Sequence, residues 1–227
     1  MRPALTEEEI TAFRASVCRA AEKLFARHGF EGVTMRQIAA EVGFSSTAAY
    51  RYFKNKDEIL AAVRASAFNR FGEVIENATA SSTDPRRSAR EVGQAYLAFA
   101  LANPDAYRMM FDIKQASVRH YPELAESLRR ADRCMVGYVM VLVQKDVVSG
   151  DPRALGQMLW ATAHGLVMLR LSGIIASNDE LHRLHEQAMS ALVRGMTPIN
   201  RVTVRSDRRK SGLIETVAPK QKSKKHA

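Results

Sequence analysis

Ser45, Ser46 and Thr47 stand in a row, followed by Tyr50, Arg51 and Tyr52, with Thr34 and Arg36 before them and Lys56 after. Small hydroxyl side chains let backbone amides and their own oxygens approach phosphates and base edges closely, and the cations add attraction for phosphate. A second set is further along: Tyr96, Phe99, Tyr107, Met110, Phe111, Trp160, His164 and Met168. These soft and aromatic side chains line adaptable apolar sites as readily as they fill cores, and Gln94 and Arg170 could add polar groups that orient a ligand. His164 on an apolar helical face reads equally well as a satisfied core histidine. No nucleophile elbow, metal-ligand cluster or phosphate loop accompanies it, so no catalytic residue, metal or cofactor is expected and the chain is not read as an enzyme.

The elements that carry these residues have helical period almost throughout. Ile10, Phe13, Val17, Ala20, Ala21, Leu24 and Phe25 recur at gaps of three and four, one stripe on a helix that ends at His28-Gly29. Thr34 is suited to cap a short helix, Gly43 to break it, and Ser45 or Ser46 to cap the next. Asn55-Lys56-Asp57 opens a long helix containing Ile59, Leu60, Val63, Ala67, Phe71, Val74 and Ile75. The fold class is therefore all-α, with about nine helices over roughly 7–28, 35–42, 46–52, 56–78, 86–102, 104–117, 121–149, 152–176 and 179–195. Two very short helices around a glycine turn, with Ile38, Val42, Ala49 and Phe53 pointing to a core shared with the first helix, make the pattern of a helix-turn-helix. Phe53 is read as packing; Tyr50 and Tyr52 could pack or contact a duplex.

From Gly29 to Leu60 the sequence closely resembles the DNA-binding signature of the TetR family. The matching features are Gly29-Phe30, Val33-Thr34, Ile38-Ala39, Val42-Gly43, Tyr50-Arg51-Tyr52-Phe53 and Asn55-Lys56-Asp57-Glu58-Ile59-Leu60. The resemblance implies a homodimer that presents two recognition helices to a pseudo-palindromic operator in double-stranded DNA. It puts Thr34, Tyr50, Tyr52 and Lys56 at positions that usually contact phosphates, and Arg36, Ser46 and Thr47 at positions that often read bases. Ala48-Ala49 departs from the glycine or larger aliphatic residue usual there. A second stretch, Asn103 to Phe111 with Trp160 to Val167, resembles the C-terminal domain of some TetR-type regulators, known for its Trp, His and Gly landmarks. It implies a domain that dimerises and binds a small, hydrophobic effector.

The expected organisation is a helix-turn-helix domain over 1–58, a connecting helix and loop over 59–83, a ligand-binding and dimerisation domain over 84–197 and a basic, disordered tail over 198–227. The last two helices offer a dimer interface. Gly156, Ala163, Gly165, Leu166, Leu169 and Gly173 allow close approach, and Leu181, Leu184, Ala188, Met189, Leu192 and Val193 form an apolar stripe; an intramolecular hairpin is the alternative. The expected function is a ligand-responsive repressor, with the long fourth helix tilting when effector binds. The rival is a sequence-neutral DNA-binding protein without effector.

Charge by itself argues little. The net charge is +10, but nine Lys/Arg against two Asp/Glu fall in residues 200–227, and residues 1–58 hold nine basic against eight acidic groups. Cys18 and Cys134 lack metal-ligand spacing and read as small core residues rather than a redox pair. With no apolar run of membrane-spanning length and no apolar signal core at the N-terminus, the expectation is a cytoplasmic protein that does not engage membrane.

Overall fold

The computed structural model describes residues 6–111 and 120–197, with the backbone but not the side chain of Ser46. The expected tail from 198 lies outside the described residues. Among those described the chain forms nine helices and no strand: α1 (Glu7–His28), α2 (Met35–Glu41), α3 (Ser46–Tyr50), α4 (Lys56–Ala80), α5 (Pro85–Ala102), α6 (Pro104–Met110), α7 (Pro122–Gln144), α8 (Pro152–Leu171) and α9 (Asn178–Met196).

Local chemistry sets most of the starts. Thr6 and Glu9 close a capping box on α1, Thr34 and Gln37 another on α2. Side chains of Ser45, Asn55, Asp84, Asp151 and Ser177 accept backbone N–H groups at the starts of α3, α4, α5, α8 and α9. Each satisfies amides that the helix itself leaves without partners.

Two apolar clusters organise the packing. The first joins Phe13, Val17, Ala21 and Phe25 of α1, Met35, Ile38 and Ala39 of α2, and Ala49 of α3. It also takes in Phe53 and the α4 residues Ile59, Leu60 and Val63. The second gathers Phe68, Phe71 and Ile75 of α4 with Tyr96 and Phe99 of α5, Tyr107 and Met110 of α6, Tyr138 and Val139 of α7, Leu159 and Val167 of α8 and Leu181 of α9. α4 therefore buries its first turns in one cluster and the rest of its length in the other. Ion pairs tie it to its neighbours: Arg70 to Glu22 of α1 at 3.1 Å, and Arg130 of α7 to Glu76 at 2.6 Å.

Three helix ends differ from expectation by more than two residues. α6 stops at Met110 rather than near 117, with Phe111 already in a turn, and residues 112–119 lie outside the described residues. α7 stops at Gln144 rather than near 149, because the chain turns through Asp146 at φ 54° and folds Val147 and Val148 back into the core. α8 stops at Leu171 rather than near 176. Gly173 at φ 82° closes the turn, burying Ile175 and leaving Ile174 exposed. After α7 and α8 apolar residues continue the helical period without the backbone, and the turns bury Val147, Val148 and Ile175 instead.

The expected dimer stripe is also corrected in part. Gly156 lies against Met135 and Val136 of α7, where a Cβ would meet a carbonyl at 3.0 Å, and Ala163 is buried within the chain. Leu181 of α9 is fully buried, while Leu184, Met189, Leu192 and Val193 pack on the protein's own core. On α8, Met158, Ala161, Gly165, Met168 and Leu169 are exposed, and on α9 Leu184, Ala188, Met189, Leu192 and Val193 stay half-buried. No helix among the described residues is long and apolar enough to cross a membrane.

Candidate nucleic-acid interface and small-molecule site

The turn between α2 and α3 is built for a tight approach. Gly43 takes φ 73°, and the Phe44 N–H returns to the Ala39 carbonyl at 2.9 Å. A left-handed backbone costs glycine little and other residues more. Ala39 and Ala49 are buried where the two helices close on α1. Phe53 is sealed beneath them, with the Arg14 guanidinium 4.3 Å above its ring. The same arginine donates to the Tyr52 carbonyl at 2.7 Å, so α1 fixes the chain as it leaves α3.

With the apolar side committed, the opposite side of the pair is free. Thr34, Arg36, Ser45, Thr47, Tyr50 and Arg51 are exposed, and Tyr50 keeps 55% of its surface. Thr34 and Ser45 also cap α2 and α3, leaving their oxygens at the surface. The side chain of Ser46 is outside the described residues. Tyr52 and Lys56 stand apart from this group. The Tyr52 ring packs on Phe13 at 4.8 Å, and the Lys56 ammonium donates to the Phe30 carbonyl at 2.6 Å while sitting over the Phe30 ring. Both therefore hold the helix-turn-helix together from within. Sequence reasoning did not single out Gln37, whose carbonyl oxygen takes both the N–H and the hydroxyl of Thr34 and which is exposed beside Arg36. Its spacing of three from Thr34 is the signal that could have found it.

The second set converges where α5, α6 and α8 meet. The Trp160 indole donates to the Tyr96 hydroxyl at 3.1 Å, Tyr96 and Tyr107 share a 2.6 Å hydrogen bond, and Tyr107 reaches His164 Nδ1 at 2.8 Å. Phe111 packs on His164, Tyr107 and Trp160, with ring centroids 4.4, 5.1 and 6.2 Å away. Phe99 joins through Phe71, which also faces Tyr96. Trp160, His164 and Phe111 are half-buried, whereas Tyr96, Tyr107 and Met110 are fully buried. Met168 is exposed on α8. Arg170 hydrogen-bonds Asn178 at the start of α9. Tyr138 of α7 was not anticipated: it is buried near Tyr96, and nothing in its local sequence marks it off from a core tyrosine.

Burial dominates the electrostatics here. It raises the pKa values of Tyr96, Tyr107 and Tyr138 and lowers that of His164, so the whole group is neutral near pH 7. Burial also pushes both half-buried thiols, Cys18 and Cys134, up to about 11. Such thiols stay protonated and unreactive near neutral pH. Among the described residues no group of three or more His, Cys, Asp or Glu could hold a metal ion.

Residues 17–63 match the family model for bacterial regulatory proteins of the tetR family, and residues 89–192 match the model for the tetracyclin repressor-like C-terminal domain. The chain belongs to the TetR family. It is accordingly a DNA-binding transcription regulator, in a family of regulators rather than enzymes.

Among known proteins the regulator is 30% identical over 73 residues to the transcriptional repressor AcnR of Corynebacterium diphtheriae, a match covering 32% of this chain and 38% of that one. It is 24% identical over 133 residues to the transcriptional activator FasR of Mycolicibacterium smegmatis, covering 59% of each. The matched stretches thus span less than two thirds of these relatives' own lengths. Solved structures share the fold. The fatty acid degradation regulator FadR of Bacillus halodurans superposes with a TM-score of 0.67 at 19% identity, covering 80% of this chain and 98% of that one. FadR of Bacillus subtilis, solved in complex with stearoyl-CoA, gives 0.68 at 19% identity with the same coverage.

Proposed function

We propose that the regulator is a ligand-responsive repressor that binds a pseudo-palindromic operator as a homodimer and is released by a small, largely apolar effector. The observation that carries this reading is the position of α6. Its Tyr107 and Met110 belong to the larger core with the aromatic network, while Met109 between them belongs to the core under the helix-turn-helix. Arg64 of α4 donates to the Met110 carbonyl at 3.0 Å, and Arg108 of α6 donates to the Leu171 carbonyl at the end of α8 at 2.7 Å. A ligand that moves His164 or Trp160 therefore pulls on a helix already packed against the DNA-binding core.

In this reading Arg36, Ser45, Thr47, Tyr50 and Arg51 face the duplex, with Thr34 and Ser46 beside them. Tyr52 and Lys56 act mainly by holding the recognition helix in place. The exposed apolar stripe of α8 meets its copy across a two-fold axis, spacing the two recognition helices about 34 Å apart for successive major grooves. A ligand-preferred tilt of α4 changes that spacing and lowers operator affinity by a coupling of about 1–3 kcal/mol.

The test is a footprint on DNA upstream of the regulator's own gene, followed by anisotropy titrations against that duplex. Arg36→Ala and Arg51→Ala are each expected to weaken binding and reduce the salt slope by about one. Light scattering is expected to give a dimer. Binding without preference among sequences would instead support a sequence-neutral DNA-binding protein.

A further inference from the structure

The hydrogen-bond chain across α5, α6 and α8 has a fixed direction. An indole N–H can only donate, so the Tyr96 oxygen accepts from Trp160. Tyr96 is 1% exposed, and the acceptor within reach of its own proton is the Tyr107 oxygen. Tyr107 must then pass its proton to His164 Nδ1. The opposite order would leave the Tyr96 proton buried without an acceptor, which folded proteins avoid.

An imidazole that accepts at Nδ1 while neutral carries its proton on Nε2. Among the described residues that N–H has no partner, yet it is not sealed from the surface. It belongs to a ring packed against Phe111, with Trp160 one turn earlier on α8. Tyr138, more than nine-tenths buried beside Tyr96, likewise has a hydroxyl with no partner among the described residues. Burial alone lowers the pKa of His164; no described charged side chain contributes. The site thus offers spare donors, aromatic walls and no described counter-charge. A carboxylate or ammonium entering it would lose water without gaining a partner ion from the described residues.

We infer that the site takes a neutral, largely apolar molecule bearing an uncharged acceptor oxygen, such as a ketone, ester, lactone or amide carbonyl. The carbonyl accepts from His164 Nε2–H, the Tyr138 hydroxyl serves as a second polar contact, and Trp160 and Phe111 cover the hydrocarbon. The inference rests on the effector-responsive reading above and adds the chemical class.

Trp160 is the single tryptophan of the chain, so its fluorescence reports the site directly. The full-length protein is titrated with methyl nonyl ketone, undecane, undecylamine and undecanoate. The ketone is expected to bind about three- to tenfold more tightly than undecane, the value of one added hydrogen bond, and more tightly than either ion. Tyr138→Phe removes no hydrogen bond within the protein, so it is expected to fold normally and to bind the ketone about threefold more weakly. His164→Phe is expected to erase the difference between ketone and undecane. Should that variant fail to fold, nitrogen-edited NMR of the intact protein reads the same point, with His164 in the Nε2–H form.

Equal binding of ketone and undecane, tighter binding of either ion, or an Nδ1–H tautomer would overturn the inference. Failure of all four probes to bind, while another compound class releases the operator, would overturn the ligand class alone. Ketone binding that leaves operator affinity unchanged would overturn the effector reading and leave the site's chemistry standing.

Discussion

Around the helix-turn-helix most side-chain hydrogen bonds span three residues and lie in water, as between Thr6 and Glu9, Thr34 and Gln37, Ser45 and Ala48, and Asn55 and Glu58; Arg14 to the Tyr52 carbonyl and Lys56 to the Phe30 carbonyl are part-buried exceptions that reach across 38 and 26 residues. Across α5, α6 and α8 they span 11, 57 and 64 residues and are wholly or partly buried. The first kind forms within a single turn of chain and can exchange with water when broken. The second kind exists only once three helices have docked, and breaking one bond strands groups that water cannot easily reach. The helix caps around the helix-turn-helix are therefore local and open to water, whereas α5, α6 and α8 share a polar chain whose members depend on one another.

The largest expected effect tests that dependence. Tyr107→Phe removes one oxygen but two hydrogen bonds, leaving the Tyr96 proton and His164 Nδ1 without partners. Stranding a buried group costs about 1–3 kcal/mol, so urea unfolding should register a loss in that range. A double variant, Tyr107→Phe with Tyr96→Phe, should lose less than the sum of the two single changes, because one stranded proton is removed along with its donor. Strict additivity would mean the hydroxyls act independently and the comparison fails.

Thr34→Ala probes the other kind of bond and should cost about 1 kcal/mol, as loss of an N-cap does. The capped amide of Gln37 is exposed and water can replace the lost oxygen. Operator affinity should fall further than this stability loss accounts for if Thr34 also meets phosphate, which anisotropy on the folded variant would measure.

The same contrast explains what was legible in the sequence. Caps, the Gly43 turn and the inward residues Ile38, Ala49 and Phe53 are local patterns, and they could be read position by position. The aromatic cluster could be read as a set of residue types, but not as an ordered chain. Nothing near Tyr96 tells that its hydroxyl meets residues 11 and 64 positions away, or that Tyr138 joins them. The family resemblance places Lys56 and Tyr52 at positions that usually contact phosphate, with packing as the alternative for Tyr52. Their commitment to Phe30 and Phe13 depends on how α1 lies over the turn. The α9 stripe has helical period whether it meets a second copy or its own core, and its sequence does not tell that Leu181 is buried while Leu184, Met189, Leu192 and Val193 stay half-buried.

The smallest expected effect concerns pH, and it falls on the ligand end. His164 and His185 both have pKa values lowered from 6.5, in each case first by burial. The His185 ring lies over Gly93 of α5, where a Cβ would sit 2.7 Å from its Cε1, so there is little room to admit water around a charged ring. Below 6.5 the unfolded chain takes up protons that the folded chain refuses, so stability falls as pH drops from there toward the lowered folded values. Carboxylates whose pKa values are lowered by arginine partners, Glu76 and Glu126 among them, lose their contribution only at more acidic pH. Urea midpoints measured between about pH 7 and pH 5 should therefore decline in the wild type. The decline should be shallower in His164→Asn, whose Oδ1 stands where Nδ1 does and can still accept from Tyr107 but takes up no proton. An unchanged slope in that variant would mean His164 is no harder to charge in the folded protein than in the unfolded chain. The neutral imidazole on which the ordered chain depends would then lose its physical basis.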